Sequence, residues 1–257
     1  MKVVILAGGL GTRLREETEF IPKPMVRVGE RPILWHIMKN YHSFGHSDFV
    51  ICAGYKGETI KEYFREFESE VSDFTVTLGK NFSIEFHDTF SEEGWKVTVC
   101  DTGLNTMTGG RLFKARKFIK DDLFMCTYGD GLANVDLGAL VSFHQSHGKI
   151  ATVTAVRPVS RFGILDLEPN GTVESFREKP QADGWVNAGF FIFSKKIFDY
   201  LDESSVLENE PISSLANDGQ LMAFRHDGFW QPMDTYREFT ILNELWNSSS
   251  APWKTWK

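Results

Sequence analysis

The chain has 257 residues, 42% of them hydrophobic and 25% charged, with a formal net charge of -7. This is an ordinary globular composition with length for one sizeable core or two unequal ones, which excludes disorder as the default. The acidic balance excludes a general electrostatic grip on nucleic acid or anionic lipid, which needs clustered Lys and Arg; a nucleotide needs only a local positive pocket and stays open.

The first element is an unbroken apolar run, Val3-Val4-Ile5-Leu6-Ala7, ended by Gly8-Gly9. It reads as a parallel strand buried on both faces. It is too short for a signal-peptide core or a membrane span, so cytoplasmic residence is expected. Runs of the same character follow at Phe49 to Ala53 and Leu123 to Tyr128, with amphipathic helices predicted near Ile33 to Phe44, Glu58 to Phe67 and Leu137 to His147. This alternation predicts α/β layering. From Ala151 the pattern turns to strands: Thr152 to Val156, then Gly163 to Leu167 and Thr172 to Phe176 around Asn170-Gly171, a hairpin signal. With no repeat and no Pro/Gly/Ser linker, one continuous domain with a β-rich second lobe is expected. Cys52, Cys100 and Cys126 lie in apolar runs without CxxC spacing and are expected as buried reduced thiols. The seven histidines show no HxH or HExxH spacing, so zinc hydrolysis is not supported.

Chemistry concentrates first in Gly8-Gly9-Leu10-Gly11-Thr12-Arg13-Leu14, directly after the opening strand. Small residues with accessible backbone N–H groups at a strand-to-turn junction form a phosphate cradle. A dinucleotide fingerprint counted from Gly9 needs Gly where Leu14 stands, and the Gly-Lys-Ser/Thr of a Walker A loop is missing. Two cations are present instead: Arg13 within the loop, and Lys23 in Pro22-Lys23-Pro24, where the prolines predict an extended segment. Rigid cations suit phosphoryl chemistry, whose transition state gathers negative charge.

Tyr128-Gly129-Asp130-Gly131 ends an apolar strand and sets a carboxylate on the rim where open α/β sheets bind ligands. Asp234, in Met233-Asp234-Thr235, reads equally as a helix N-cap or a metal ligand. Glu178-Lys179 alone reads as a solvated turn.

These motifs together resemble the sugar nucleotidyltransferase family, with its strand, Leu-Ala-Gly-Gly-x-Gly-Thr-Arg-Leu loop and Pro-Lys-Pro segment. The similarity spans the chain and is greatest to the glucose-1-phosphate cytidylyltransferases, through Pro32 to Met38, Asp101-Thr102-Gly103, Met107 to Leu112 and Ala251 to Trp256. Arg15-Glu16-Glu17-Thr18 after the loop, in place of a Pro and a Thr, also favours CTP over dTTP or UTP.

The resemblance implies a Rossmann-like mixed sheet flanked by helices, with residues 1–150 mainly binding nucleotide and residues 151–257 mainly binding sugar phosphate. It implies cytidylyl transfer from CTP to glucose 1-phosphate, with Mg2+ held by Asp130 and Asp234 and with Arg13, Lys23 and Asp130 as the catalytic set. Nucleotide contacts are expected from Leu6, Ala7, Gly8, Gly9, Leu10, Gly11, Thr12, Arg13, Lys23, Asn105, Gly110, Arg111 and Gly129. Arg111 or backbone N–H groups would donate to cytosine. The sugar phosphate is expected on Tyr128, Gly163, Glu178, Lys179 and Asn187, with Arg161 alongside and Trp230 as a wall or a core residue. Rival readings are the same transfer with UTP, dTTP or another sugar phosphate, a non-catalytic nucleotide-binding regulator, and a dinucleotide oxidoreductase, which Leu14 disfavours. Four tryptophans, Trp230, Trp246, Trp253 and Trp256, fall in the last thirty residues. A short aromatic tail needs a surface to dock on, either its own subunit or a second copy, and oligomerisation across the resembling family makes a homo-oligomer the expectation.

Overall fold

The computed structural model describes residues 1–257 except 88–91, 93, 161 and 257, and, inside the helix at 15–18, the side chains of all but 15 and 16. The sequence-based expectations on Arg161 and on the Arg15 and Glu16 side chains therefore lie outside the described residues.

A seven-stranded mixed sheet organises the chain. Its strands are β1 (Lys2–Ala7), β2 (Asp48–Ala53), β3 (Lys96–Asp101), β4 (Leu123–Tyr128), β5 (Ala151–Val156), β6 (Val186–Ser194) and β7 (Leu221–Arg225). Across the sheet they run β7-β5-β6-β4-β1-β2-β3. β1 is parallel to both β2 and β4, β2 is parallel to β3, and β6 runs antiparallel between β4 and β5. The chain thus leaves β1 toward β2 on one side and returns to β4 on the other. This reversal opens a crevice at the carboxyl ends of β1 and β4.

The helices α1 (Ile33–Ser43), α2 (Gly57–Arg65), α3 (Thr108–Ala115), α4 (Leu137–His147), α5 (Glu210–Asn217) and α6 (Tyr236–Asn247) cover the sheet. Successive residues of β1 face opposite sides, and each side has its own core. Val3, Ile5 and Ala7 join Ile33, Leu34, Ile37 and Met38 of α1. Val4 and Leu6 join Leu112 and Ala115 of α3. That is why β1 is apolar at every position from Val3 to Ala7. The three cysteines are buried and unpaired, as expected.

From residue 151 the chain is β-rich, and β5, β6 and β7 extend the same sheet. The predicted hairpin, Ile164–Leu167 with Val173–Arg177, stands beside it and is largely exposed. Its connection is Pro169-Asn170-Gly171, closed by the Glu168 N–H donating to Thr172 O.

The tail corrects one argument. Trp253 is fully buried in its own chain, stacked on Phe229 and Trp246, and Trp256 meets Trp35 edge-on. Asn40 Nδ2 reaches the Trp253 carbonyl at 3.4 Å and Thr255 Oγ1 at 3.2 Å. The aromatic tail completes the subunit core, so it gives no reason to expect a second copy.

Candidate active site

The glycine-rich loop is held from both ends. Gly11 adopts φ of 65°, a left-handed conformation glycine enters without strain. The Thr18 hydroxyl hydrogen-bonds Gly11 O at 3.0 Å and Leu14 O at 2.7 Å. Leu14 is fully buried, which anchors the loop and leaves its neighbour Arg13 at the mouth, with 73% of its side chain exposed. The segment Lys23–Met25 is one 3-10 turn instead of the extended stretch expected, because Pro24 falls in the first turn, where a missing N–H costs nothing. Its geometry turns Lys23 inward.

Lys23 Nζ lies 2.6 Å from Asp130 Oδ2 and 2.7 Å from Asp234 Oδ1, while Arg13 Nη1 lies 2.9 Å from Asp234 Oδ2. Burial lowers the Lys23 pKa, but the charges and hydrogen bonds of Asp130 and Asp234 outweigh it and raise the pKa above its ordinary value. Three contacts bring the distant carboxylates together. Gly129 N–H donates to Leu6 O, which prolongs the β1–β4 ladder up to Asp130. Beyond it, Gly131–Ala133 pairs antiparallel with Trp230–Pro232, and Met233 N–H donates to Asp130 O. Asp234 is not the helix cap. Thr235 caps α6 in a capping box with Glu238, whose carboxylate also holds the Asp234 N–H at 2.8 Å. The Asp234 side chain is left to face the site.

Two cavities meet at this cluster. One, about 500 Å³, is lined by residues 6–13, Lys23, Pro24, 104–108, Arg111 and 128–130. The other, about 370 Å³, is lined by Arg13, Tyr128, Asp130, Asn187, Glu208, Trp230 and Asp234 among others. Arg13, Tyr128 and Asp130 belong to both walls. The first cavity collects every predicted nucleotide residue except Gly110. That glycine instead packs on residues 203–205, where its N–H donates to Ser205 O and an added Cβ would lie 2.3 Å from Glu203 O.

Arg111 lines the first cavity with both of its terminal nitrogens engaged by the protein. Nη1 serves Ala53 O, Thr102 Oγ1 and Gly103 O at 3.3, 2.7 and 2.8 Å, and Nη2 serves Gly8 O and Leu104 O at 2.8 and 3.1 Å. Of the expected base donors, Arg111 or backbone N–H groups, Arg111 has its Nη1 and Nη2 groups engaged within the protein. Its guanidinium ties the glycine loop to the 102–104 loop and so shapes the cavity from behind. An added Cβ at Gly8 would lie 2.0 Å from Nη1, which is why that position is glycine.

Tyr128, Asn187 and Trp230 line the second cavity, whereas Gly163, Glu178 and Lys179 are exposed around the hairpin and do not line it. Lys179 Nζ pairs only loosely with Glu178, at 3.4 Å. Sequence reasoning missed Glu208, which accepts hydrogen bonds from the Tyr128 and Thr108 hydroxyls. It stands in Leu207-Glu208-Asn209-Glu210 beside a second glutamate, and no motif distinguishes it.

The donor set fits a hard divalent cation. One ammonium reaches both carboxylates, so Asp130 and Asp234 face a common point. Among the described residues no group of three or more His, Cys, Asp or Glu side chains could hold a metal. Two carboxylates completed by waters and substrate phosphates are what magnesium accepts, not what zinc requires. Among the described residues no helix is long and apolar enough to cross a membrane.

Residues 2–235 match the nucleotidyl transferase family. The chain is 52% identical over 260 residues to a glucose-1-phosphate cytidylyltransferase of Salmonella typhi, covering 100% of both. It is 46% identical over 258 residues to a probable glucose-1-phosphate cytidylyltransferase of Bacillus subtilis, again covering 100% of both. Among solved structures, HddC from Yersinia pseudotuberculosis superposes with a TM-score of 0.69 at 25% identity, covering 95% of this chain and 99% of that one. With the sheet, the loop and the paired carboxylates in place, the chain belongs to the nucleotidyl transferase family, in its glucose-1-phosphate cytidylyltransferase branch.

Proposed function

We propose that this single nucleotidyltransferase domain transfers the cytidylyl group of CTP to glucose 1-phosphate, giving CDP-glucose and pyrophosphate. The observation that carries the reading is the cluster of Arg13, Lys23, Asp130 and Asp234 at the seam of two cavities. Full-length likeness to glucose-1-phosphate cytidylyltransferases supports the choice of substrates.

In this reading CTP lies in the larger cavity, its phosphates along residues 8–13 and its base toward Asn105. Glucose 1-phosphate lies in the smaller one, near Tyr128 and Asn187. An oxygen of its phosphate attacks the α-phosphorus of CTP, and the bond from that phosphorus to the bridging oxygen of pyrophosphate breaks. The attacking phosphate is already ionised, so no protein base is needed. Arg13 and Lys23 neutralise charge that builds on the transferred group, with both cations oriented by carboxylates before substrate arrives. Asp130 and Asp234 would hold Mg2+, which supplies Lewis-acid charge neutralisation at the phosphates when bound. Gly163, Glu178 and Lys179 serve the sugar phosphate from the hairpin side. Cytoplasmic residence and a homo-oligomer complete the reading, the latter resting on family resemblance alone.

The test is pyrophosphate release from glucose 1-phosphate and magnesium with each nucleoside triphosphate in turn. CTP is expected to give the highest rate. Preference for UTP or dTTP would overturn the substrate assignment, and CTP binding without pyrophosphate release would make the protein a regulator. Light scattering at micromolar concentration tests the assembly, and a single-chain mass would refute it.

A further inference from the structure

Glu208 joins the walls of the two cavities. Its Oε1 accepts the Tyr128 hydroxyl at 2.5 Å, and its Oε2 accepts the Thr108 hydroxyl at 2.5 Å. Both distances belong to charge-assisted O–H···O⁻ bonds. Thr108 opens α3 and lines the larger cavity, Glu208 lines the smaller, and Tyr128 lines both. The Thr108 oxygen in turn accepts the Leu207 N–H at 3.0 Å, which fixes the carboxylate beside the start of α3.

The donor and acceptor count decides what the ligand meets. A phenol has one proton, and Tyr128 gives it to Glu208. Toward the cavity the Tyr128 oxygen therefore offers lone pairs only. Asn187 Nδ2 already donates to that oxygen at 3.4 Å, consistent with an oxygen that accepts.

We propose that Glu208 is a positioning residue that makes Tyr128 a hydrogen-bond acceptor for a sugar hydroxyl and thereby selects a hydroxylated acceptor over a deoxy analogue. The proposal rests on the smaller cavity being the sugar-phosphate site. An amide at position 208 would break the polarity: with its NH2 toward Tyr128, the phenolic proton must turn into the cavity, where it opposes an incoming hydroxyl donor.

The test compares wild type, Glu208→Gln, Tyr128→Phe and the double variant, using CTP with glucose 1-phosphate and with its monodeoxy analogues. Pyrophosphate release by wild type is the control for the underlying reading, and its absence would overturn that reading, not the role of Glu208 alone. Glu208→Gln is expected to raise KM for glucose 1-phosphate about tenfold, leave KM for CTP within about twofold, and reduce discrimination against one deoxy analogue by about the same tenfold factor. On the Tyr128→Phe background the same change is expected to add less than about twofold, because the group it acts through is gone. Equal effects on both substrates, unchanged deoxy discrimination, or effects that multiply in the double variant would each overturn the proposal. Thr108→Val, which frees the far carboxylate oxygen without touching Tyr128, is expected to move sugar discrimination in the same direction, and no movement would count against the anchoring role.

Discussion

The Lys23 ammonium and the Asp130 carboxylate meet at 2.6 Å across 107 residues of sequence, and the same ammonium holds Asp234 at 2.7 Å. Lys23 therefore occupies the point on which both proposed metal ligands converge. The protein's own cation balances the two carboxylates until a metal-bound nucleotide takes over that role. Asp130→Asn is expected to lower kcat by about 10²- to 10³-fold. Stability should change by less than about 1 kcal/mol, because Lys23 retains Asp234. Steady-state kinetics and a denaturation curve check both halves, and near-normal turnover in magnesium would remove Asp130 from the metal site.

Arg111 acts behind the glycine loop, through carbonyls. Arg111→Lys replaces a fork holding five acceptors with a single ammonium, which leaves buried carbonyls unpaired. The expected loss is about 2–4 kcal/mol of stability, with an increase in KM for CTP of about tenfold or more. Gly8→Ala should mimic the kinetic effect, since its Cβ would lie 2.0 Å from Arg111 Nη1. If Gly8→Ala leaves KM for CTP unchanged, the clamp does not shape the nucleotide cavity.

His36 makes stability depend on acid. Its Nδ1 accepts the Trp253 indole N–H at 3.4 Å, so its Nε2 carries the proton and donates to Val28 O at 2.8 Å. Burial is the main cause that lowers its pKa to about 4 from 6.5. The unfolded chain therefore binds a proton first as pH falls, and stability declines between about pH 6.5 and pH 4, by about 3 kcal/mol in all. Denaturation midpoints at pH 7 and pH 5 should differ accordingly, and His36→Gln should make the profile shallower without abolishing it, because burial also lowers the His144 pKa to about 4. A slope unaffected by that substitution would assign the acid sensitivity to other groups.

Trp253→Ala removes a fully buried indole from the contact with Phe229 and Trp246. It should cost about 3–5 kcal/mol. Because the tail packs on its own chain, the loss should be independent of protein concentration. Melting curves at two concentrations check this, and a concentration-dependent loss would return the tail to an interface between copies.

The sequence by itself determined what depends on local pattern. The apolar run before Gly8 suited a doubly covered strand better than a half-exposed one, α4 was legible from Leu137 to His147, and Gly11, Arg13 and Lys23 pointed to phosphate chemistry through the specificity of the loop and the Pro-Lys-Pro segment. Tertiary structure decided everything that depends on who meets whom. Asp234 read equally as a cap or a ligand until the Gly131–Ala133 ladder with Trp230–Pro232 set it beside Asp130 and Thr235 took the cap. Arg111 read as a cation for the cavity, and only the fold showed that its Nη1 and Nη2 groups hold Gly8, Ala53, Thr102, Gly103 and Leu104. Glu208 carried no signal at all. A hydrogen-bonding group has a fixed capacity, and sequence shows that capacity but not how much the fold has already used. Only strand register and loop packing, which bring together residues 80 to 221 positions apart, decide which donors and acceptors remain for a ligand.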